Sequence, residues 1–380
     1  MATIPSASDK TLFTPGPLTT SLSVKLAMLH DAGSWHFDFN ARVATIREKI
    51  LELAGVSREA GYECVLMQGS GTFGVESVFA STVPPDGKVL VLTNGAYGER
   101  MIQMLECARI DYAVVRTPED QVPDPEAVSQ ALSDSPNIGL VAMVHCETTT
   151  GILNPIEKIS TVAKAHDCQF FVDAMSSFGA IPIDFETLGI DFLVSSGNKC
   201  IEGVPGFSFV IARREALLAN EGNARSLSLD LVGQLRCFEK NGQFRYSPPT
   251  HSLLAFEQAL VELEQEGGIE GRQQRYQDNH QTLIQGMSQL GFKPFLPPEI
   301  QSYIITSFHF PEDPNFDFGK FYRALSDRNK IIYPGKISQT DLFRIGSIGR
   351  IFPADVESMV DAIARVLTDL SITVNPVESA

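Results

Sequence analysis

The sequence predicts an α/β protein in which a large domain with a mainly parallel sheet is followed by a smaller α+β domain. Between Cys64 and Ala212, short apolar runs rich in β-branched and aromatic residues alternate with helical patterns, which is typical of βαβ units. After Gly291 the strand-like runs become shorter and are separated by proline, aspartate and asparagine. The chain has 380 residues, of which 43% are hydrophobic, so it can bury a core large enough for two domains.

The predicted domain limits follow from proline and glycine. Several prolines and a glycine between residues 5 and 17 disfavour regular structure, so we predict an extended arm over residues 1–17. Gly267 and Gly268 interrupt a long helical pattern and mark the second limit. We therefore predict a large domain over residues 18–266 and a small domain over residues 267–380.

Each strand is predicted from a short apolar run, and each helix from apolar residues that recur every three or four positions. In Phe39–Leu53, for example, Val43, Ile46 and Ile50 fall on one helical face. The predicted strands are Cys64–Gln68, Lys88–Thr93, Gly139–His145, Cys168–Val172, Asp191–Ser195, Phe207–Ala212, Ser302–Phe310, Ile331–Tyr333 and Phe343–Ile345. The predicted helices are Leu22–Leu29, Phe39–Leu53, Val75–Ser81, Pro155–His166, Arg213–Ala219, Ser252–Glu264, Glu270–Leu290, Phe318–Asp327 and Pro353–Leu370. Residues 220–250 show a less regular pattern.

The charge and cysteine patterns argue against several classes of protein. A formal net charge of −16 disfavours binding to nucleic acid or to an anionic membrane surface, since both need a basic face. The six cysteines form no C-x-x-C pair, so we expect neither a zinc site nor a disulfide framework, and we predict no metal. Residues 1–10 lack a basic cap and an apolar core, and no run of 18 apolar residues occurs, so we expect a cytoplasmic protein.

The segment Gly69–Gly74 has the pattern G-x-G-x-x-G between a predicted strand and a predicted helix. The pattern alone fits either a dinucleotide site or a cup for one phosphate. A dinucleotide site also needs an acidic residue at the end of the next strand to hold the ribose, but that strand ends at Asn94. We therefore favour a cup in which backbone N–H groups around Gly71 and the hydroxyls of Ser70 and Thr72 bind one phosphate.

Asp173 and Lys199 form the pair that carries the predicted chemistry. Asp173 ends one predicted strand and Lys199 follows the next, and open α/β sheets bind ligands at the carboxyl ends of their strands. A lysine on its own is most simply interpreted as a solvated surface residue. A lysine between small residues can instead be desolvated, which lowers its pKa and makes its amine a nucleophile. An aspartate opposite such a lysine is what pyridoxal phosphate requires, because the carboxylate keeps the ring nitrogen protonated.

Four segments resemble those of the class V aminotransferases, which are pyridoxal phosphate enzymes of fold type I. The segments are Phe13–Leu18, Val172–Ser177, Asn198–Phe207 and Phe343–Gly349, and they span nearly the whole chain. The resemblance implies a large domain built on a mainly parallel seven-stranded sheet, a smaller α+β carboxyl-terminal domain, and pyridoxal 5'-phosphate as the cofactor. It is closest to the branch that takes 2-aminoethylphosphonate as amino donor and pyruvate as acceptor.

The resemblance also implies which residues hold the cofactor. Lys199 would bind it covalently and then act as general base and acid, while Asp173 would hold the ring nitrogen. Tyr97, predicted on a loop at a strand end, would stack on the ring, and Thr148 would hydrogen-bond the ring hydroxyl. The other cofactor contacts would come from Ser70, Gly71, Thr72 and Ser196.

Two further roles are implied outside this set. Ser247 would reach the cofactor phosphate of a partner subunit in a homodimer, with Thr250 as the alternative for that contact. Arg344, in the motif R-I-G-x-x-G, would bind the substrate anion, because its planar fork suits a carboxylate and can also hold a phosphonate. Arg350 is a nearby alternative.

Together these implications describe an aminotransferase that makes phosphonoacetaldehyde and L-alanine with ping-pong kinetics. Transaminases of the alanine–glyoxylate and serine–glyoxylate types remain the alternative, since they share the arm motif and R-I-G-x-x-G. The segments His145–Gly151 and Asn198–Phe207 favour the phosphonate branch. A cysteine desulfurase is excluded because it needs a late reactive cysteine and no cysteine follows Cys237. A dinucleotide-binding module would rest on Gly69–Gly74 alone.

Overall fold

The computed structural model describes residues 9–335 and 340–374. Residues 1–8 of the predicted arm, and residues 336–339 and 375–380 of the predicted small domain, lie outside the described residues.

The described strands and helices alternate as the sequence predicts. In chain order the strands are β1 (Thr11–Leu12), β2 (Tyr62–Gln68), β3 (Lys88–Thr93), β4 (Asp111–Arg116), β5 (Ile138–Val144), β6 (Cys146–Glu147), β7 (Ile152–Leu153), β8 (Gln169–Asp173), β9 (Phe192–Ser196), β10 (Phe207–Arg213), β11 (Ile305–His309), β12 (Lys330–Ile331), β13 (Tyr333–Pro334) and β14 (Leu342–Gly346). The helices are α1 (Leu22–Ala27), α2 (Phe37–Leu53), α3 (Gly71–Thr82), α4 (Ala96–Ala108), α5 (Pro125–Asp134), α6 (Ile156–Ala165), α7 (Phe185–Leu188), α8 (Arg214–Leu218), α9 (Leu231–Asn241), α10 (Thr250–Gln265), α11 (Gly268–Gln289), α12 (Phe318–Asp327) and α13 (Pro353–Asp369).

The centre of the fold is a seven-stranded sheet with the order β2-β10-β9-β8-β5-β3-β4. Strand β10 runs antiparallel to both of its neighbours, and the other six strands share one direction. Strand β9 is buried along its whole length and β8 is buried except at Gln169, as expected for parallel strands covered on both faces. The prediction of a mainly parallel seven-stranded sheet is confirmed.

Two hydrophobic clusters hold most of the buried side chains. The first surrounds the central sheet and includes residues from Val24 to Leu263. The second runs from Leu283 to Ile372, lies between α11, α12, α13 and the antiparallel sheet β11-β14-β13, and also contains Phe13. The predicted domain limits at residues 17 and 266 stay predictions.

The described part of the arm packs on the carboxyl-terminal region. Strand β1 pairs in parallel with β12, with Thr11 opposite Lys330, although the sequence predicted no regular structure there. Beyond this strand the arm turns through Pro15 and Gly16 towards the end of the central sheet, where its backbone meets Lys199. A two-residue strand carries no periodicity of its own, so the pairing depends on the partner strand.

Four of the described helices, α4, α5, α7 and α9, lie in segments where the sequence predicted no helix. Helix α9 lies within the segment predicted to be less regular; it buries Leu231, Leu235 and Phe238 on one face and ends at Gly242, whose φ of 75° is left-handed. Helix α4 begins at Ala96, so Tyr97 lies in a first helical turn and not on a loop as predicted. Glycines next to Tyr97 favoured a turn in the sequence, but tertiary packing overrides that preference.

Candidate active site

The topology brings Asp173 and Lys199 to the same edge of the sheet. Asp173 is the last residue of β8, and Lys199 lies three positions after the end of the neighbouring strand β9. The two strands are parallel, and Asp173 stands opposite Val194 in their register. Since parallel neighbours present their carboxyl ends together, the acid and the amine meet at the place where such sheets bind ligands.

Lys199 is partly buried beneath the arm. Its Nζ donates a hydrogen bond of 2.7 Å to the carbonyl oxygen of Pro15. A β-carbon added at Gly16 would lie 2.6 Å from Cδ and 2.9 Å from Nζ of Lys199, so the close approach of arm and lysine requires glycine there. Burial lowers the pKa of Lys199, although nearby groups such as Tyr97 raise it. The amine therefore has the partial desolvation that a nucleophilic lysine needs.

The loop after Lys199 is fixed by buried charges. Glu202 is buried with a left-handed φ of 64°. Its carboxylate accepts hydrogen bonds from Arg275 Nη2 at 2.7 Å and from the Tyr276 hydroxyl at 2.6 Å. Because both partners lie on α11, the helix holds the loop in place and limits the positions open to the lysine.

Asp173 is a buried carboxylate. Its Oδ1 accepts a hydrogen bond of 2.9 Å from the backbone N–H of Met175, and no cation of the described residues forms an ion pair with it. Burial raises the pKa of Asp173 to about 6, while the Met175 N–H lowers it. A buried carboxylate that lacks a cation fits the protonated ring nitrogen of a pyridoxal cofactor.

The G-x-G-x-x-G segment forms the start of α3. Ser70 is the N-cap residue, but its side chain caps no backbone N–H, so the first turn at Gly71 and Thr72 keeps N–H groups for a ligand. Ser196 also lines the cavity, and its Oγ is buried without a hydrogen-bond partner in residues 9–335 and 340–374. A β-carbon at Gly71 would overlap the end of the Met175 side chain, so any larger residue there would displace Met175 within the cavity. These groups suit a phosphate.

One cavity of about 180 Å³ joins these groups. The sequence-predicted residues that line it are Ser70, Gly71, Thr72, Tyr97, Asp173, Ser196 and Lys199. Thr148, Ser247 and Arg344 do not line it. A larger surface depression of about 850 Å³ lies between α1, α2 and α10, away from the residues with predicted chemistry.

Arg344 and Thr148 lie together beside the cavity. Arg344 is buried on β14; its Nε donates to the carbonyl oxygen of Pro334 at 2.9 Å and its Nη1 donates to that of Thr148. Its Nη2 is buried and has no hydrogen-bond partner among the described residues. Burial lowers the pKa of Arg344. The contacts leave one end of the guanidinium fork for an anion.

Ser247 and Arg350 occupy the surface. Ser247 is exposed, and its carbonyl oxygen accepts a hydrogen bond of 3.2 Å from the side chain of Gln68, which directly precedes the phosphate cup. Arg350 Nη1 lies 4.0 Å from Glu266, and its guanidinium lies 5.2 Å from the ring centroid of Phe352. Arg350 is therefore engaged away from the cavity.

Glu147 is a functional-site residue that the sequence did not reveal. It is fully buried, and its Oε2 accepts hydrogen bonds from the backbone N–H groups of Tyr97 at 3.1 Å and Gly98 at 3.3 Å. A carboxylate at the start of α4 stabilises the helix dipole and fixes the position of Tyr97. Burial raises the pKa of Glu147, while the Thr149 hydroxyl lowers it. The contact joins residues 50 positions apart, so no local pattern could have indicated it.

Six residues that line the cavity were not predicted as site residues. They are Val75, Arg100, Met101, Met104, Met175 and Asn198. Arg100 follows Tyr97 by three positions, a spacing that places both on one face of α4, but the pattern becomes visible only once the helix is recognised.

The described residues show no feature of a metalloenzyme or of a membrane-spanning helix. Within residues 9–335 and 340–374, no three histidine, cysteine, aspartate or glutamate side chains cluster in a way that could hold a metal ion. None of the helices in the same part of the chain is both long and apolar enough to cross a bilayer.

Comparison with known proteins agrees with this geometry. Residues 25–330 match the sequence profile described as aminotransferase class V. The 2-aminoethylphosphonate–pyruvate transaminase of Klebsiella pneumoniae subsp. pneumoniae is 51% identical over 358 residues, which cover 94% of this chain and 97% of the relative. A protein of the same name from Salmonella enteritidis PT4 matches with the same identity and coverage.

Solved structures support the fold. The alanine–glyoxylate aminotransferase of Nostoc sp. has a TM-score of 0.88 and 23% identity, over 97% of this chain and 98% of that chain. The pyridoxamine–pyruvate aminotransferase of Mesorhizobium loti has a TM-score of 0.87, also at 23% identity, over 97% of this chain and 94% of that chain. The family match and the sequence identity together show that the chain belongs to the class V aminotransferases, a family of pyridoxal phosphate-dependent enzymes.

Proposed function

We propose that this chain transfers the amino group of 2-aminoethylphosphonate to pyruvate and releases phosphonoacetaldehyde and L-alanine. The observation that carries the proposal is the cavity in which Lys199, Asp173 and the phosphate cup meet. The choice of substrates is supported by relatives of that activity that are 51% identical over 94% of the chain. The structural relatives named for glyoxylate are far less similar in sequence, at 23% identity or below.

The cavity residues have the chemistry to hold pyridoxal 5'-phosphate. Asp173 would accept a hydrogen bond from the protonated ring nitrogen, and Tyr97 would cover the ring. Thr148 would bind the ring hydroxyl. Ser70, Gly71, Thr72 and Ser196 would bind the remaining polar groups of the cofactor. When bound, the cofactor supplies an electron-withdrawing ring that makes the hydrogen on the amine-bearing carbon of the substrate acidic.

Lys199 holds the cofactor and moves the proton. Its Nζ would hold the cofactor covalently and, once free, would act as the base and acid that removes and returns the proton of the substrate carbon. The Pro15 carbonyl oxygen, 2.7 Å from Nζ, is an acceptor that can hold the amine after its release. The lowered pKa of Lys199 allows its amine to act as a base. The second half-reaction reverses these roles with pyruvate, so we expect ping-pong kinetics.

Arg344 binds the anionic end of both substrates. The chain has a net charge of −16, so a small anion needs a local cation to enter the site. Within the part of the chain that the structure describes, Nη2 of Arg344 has no hydrogen-bond partner, while its Nε and Nη1 donate to backbone carbonyl oxygens. A guanidinium held in this way presents its remaining donor in one direction, which suits a carboxylate or a phosphonate.

We further propose that the protein is a homodimer in the cytoplasm. Five large apolar side chains near α1 and the start of α2 are exposed: Leu22, Leu26, Leu29, Trp35 and Phe37. A patch of this kind is typical of a protein interface. Ser247 lies on the surface outside its own cavity, as a residue that serves the partner's cofactor phosphate would. All six cysteines are free, which fits a reducing compartment.

The donor and the acceptor can be tested together. The purified enzyme, loaded with pyridoxal 5'-phosphate, is mixed with 2-aminoethylphosphonate, serine or alanine, and with pyruvate or glyoxylate, and the products are separated by chromatography. We expect L-alanine and phosphonoacetaldehyde from 2-aminoethylphosphonate and pyruvate. Fast reaction of serine or alanine with glyoxylate, with 2-aminoethylphosphonate left unconverted, would replace this proposal by the glyoxylate alternative.

A further inference from the structure

Arg100 is a cation of the cavity to which neither the sequence nor the family match assigns a role. It lies on α4, one turn after Tyr97, and is half-buried. Its guanidinium carbon lies 4.9 Å from the centroid of the Tyr97 ring, and its Nη1 is 3.5 Å from Thr72 Oγ1. The distance to Thr72 is long for a hydrogen bond, so this donor is weakly held and faces the cup.

Arg100 is near enough to Asp173 to lower the pKa of that carboxyl, but none of the carboxylates in residues 9–335 and 340–374 forms a direct ion pair with it. The adjacent Glu99 pairs instead with Arg116 at 3.1 Å. A half-buried arginine that lacks a carboxylate partner is costly unless an anion joins it. In a chain with a net charge of −16, such an anion must be attracted by groups of this kind.

The phosphate cup lacks a positive charge of its own. Ser70, Gly71 and Thr72 offer hydroxyl and backbone N–H donors, and the start of α3 adds only a partial charge. A phosphate monoester carries close to two negative charges at neutral pH. Lys199 is committed to the covalent bond with the cofactor in the proposed function. Arg100 is the remaining cation among the described residues that line this cavity.

We infer that Arg100 binds the phosphate group of the cofactor, completing the Ser70–Thr72 cup with a positive charge. This inference rests on the cofactor assignment in the proposed function but not on the choice of amino donor. It explains why the arginine stacks on Tyr97, since cation–π contact holds the guanidinium in place while its N–H groups stay directed to the cup. It also assigns to α4 a second contribution to the site.

Ligands with and without a phosphate test the inference. Cofactor-free protein is titrated with pyridoxal 5'-phosphate and with pyridoxal, and binding is followed by absorbance. Arg100→Gln should weaken binding of pyridoxal 5'-phosphate about 10-fold to 100-fold, the range for loss of one charge-assisted hydrogen bond, and should leave pyridoxal binding unchanged. Arg100→Lys should recover part of the loss because it restores the charge.

Arg116→Gln is the matched control, because Arg116 is a nearby arginine that is already paired with Glu99 and lies outside the cavity. It should bind both ligands as the wild type does. Equal weakening of both ligands by Arg100→Gln would overturn the inference and assign Arg100 to packing against Tyr97. Unchanged cofactor binding with a raised KM for 2-aminoethylphosphonate alone would also overturn it, since the arginine would then bind the phosphonate. Because the titration contains no amino donor, an error in the proposed substrate leaves its outcome unaffected.

Discussion

Replacing Gly16 by alanine should impair Lys199 more than it impairs the fold. Gly16 has a φ of 121°, which side-chain-bearing residues rarely adopt, and the new β-carbon would lie 2.6 Å from Lys199 Cδ. Carbon atoms in contact normally stay about 3.5–4.0 Å apart, so the lysine must move by roughly 1 Å. The lysine can move because its side chain is flexible, but its Nζ then loses the 2.7 Å bond to Pro15.

The expected magnitudes separate strain from displacement. Backbone strain at a residue of this kind costs about 1–3 kcal/mol of stability. A displacement of roughly 1 Å at a reacting group can lower a rate by about 100-fold. Gly222→Ala is the control, because Gly222 has a φ of 93° and no atom within 4 Å of its added β-carbon. This variant therefore has the same kind of backbone strain as Gly16→Ala but no overlap with another side chain.

The assay compares the two variants in two ways. Urea denaturation gives the free energy of unfolding, and the absorbance change after addition of pyridoxal 5'-phosphate gives the rate at which Lys199 binds it covalently. We expect both variants to lose stability and only Gly16→Ala to bind the cofactor slowly. Equal rates for both variants would refute the argument that the arm positions the lysine.

Substitutions at three further residues test the assigned roles. Lys199→Ala should abolish amino transfer while the protein stays folded, and borohydride reduction with peptide mapping of the wild type should label Lys199; a label on another lysine would contradict the assignment. In cofactor-free protein, Asp173→Asn should raise the free energy of unfolding by about 3 kcal/mol near pH 7, because burial raises the pKa of Asp173 to about 6 and so disfavours its ionisation in the folded state. That gain should vanish as the pH falls from 6 towards 4, where Asp173 is protonated in the folded state and increasingly in the unfolded one. Urea titrations that show a gain independent of pH would contradict the raised pKa of Asp173. The same variant should bind the cofactor more weakly. Arg344→Ala should lower kcat/KM by about 100-fold or more for both half-reactions, since a buried anion loses its partner. Arg344→Lys should recover only part of this, because it cannot reproduce the fork held by the carbonyl oxygens of Pro334 and Thr148, and wild-type rates in the alanine variant would exclude the role.

The sequence by itself determined the fold class and the chemical pair. Strands such as Ile138–Val144 are continuous apolar runs, and helices such as Pro353–Asp369 repeat apolar residues every three or four positions, so local patterns suffice to recognise both. Asp173 ends one strand and Lys199 follows the neighbouring one. Because parallel strands place their carboxyl ends together, the sequence alone predicts that these two residues lie close to each other. The phosphate cup likewise lies within one short segment.

Only the tertiary structure decided how these groups are held. The Pro15 carbonyl oxygen meets Lys199 across 184 positions, and Glu147 holds the helix of Tyr97 across 50. The position of Arg100 beside the cup depends on α4, and the glycines near the start of that helix indicate a turn when the sequence is considered alone. Periodicity describes which face of an element is buried, but it contains no information about which distant backbone atom that face will meet. Contacts of this kind are set by the order of the strands and by the path of the arm, and these exist only once the chain has folded.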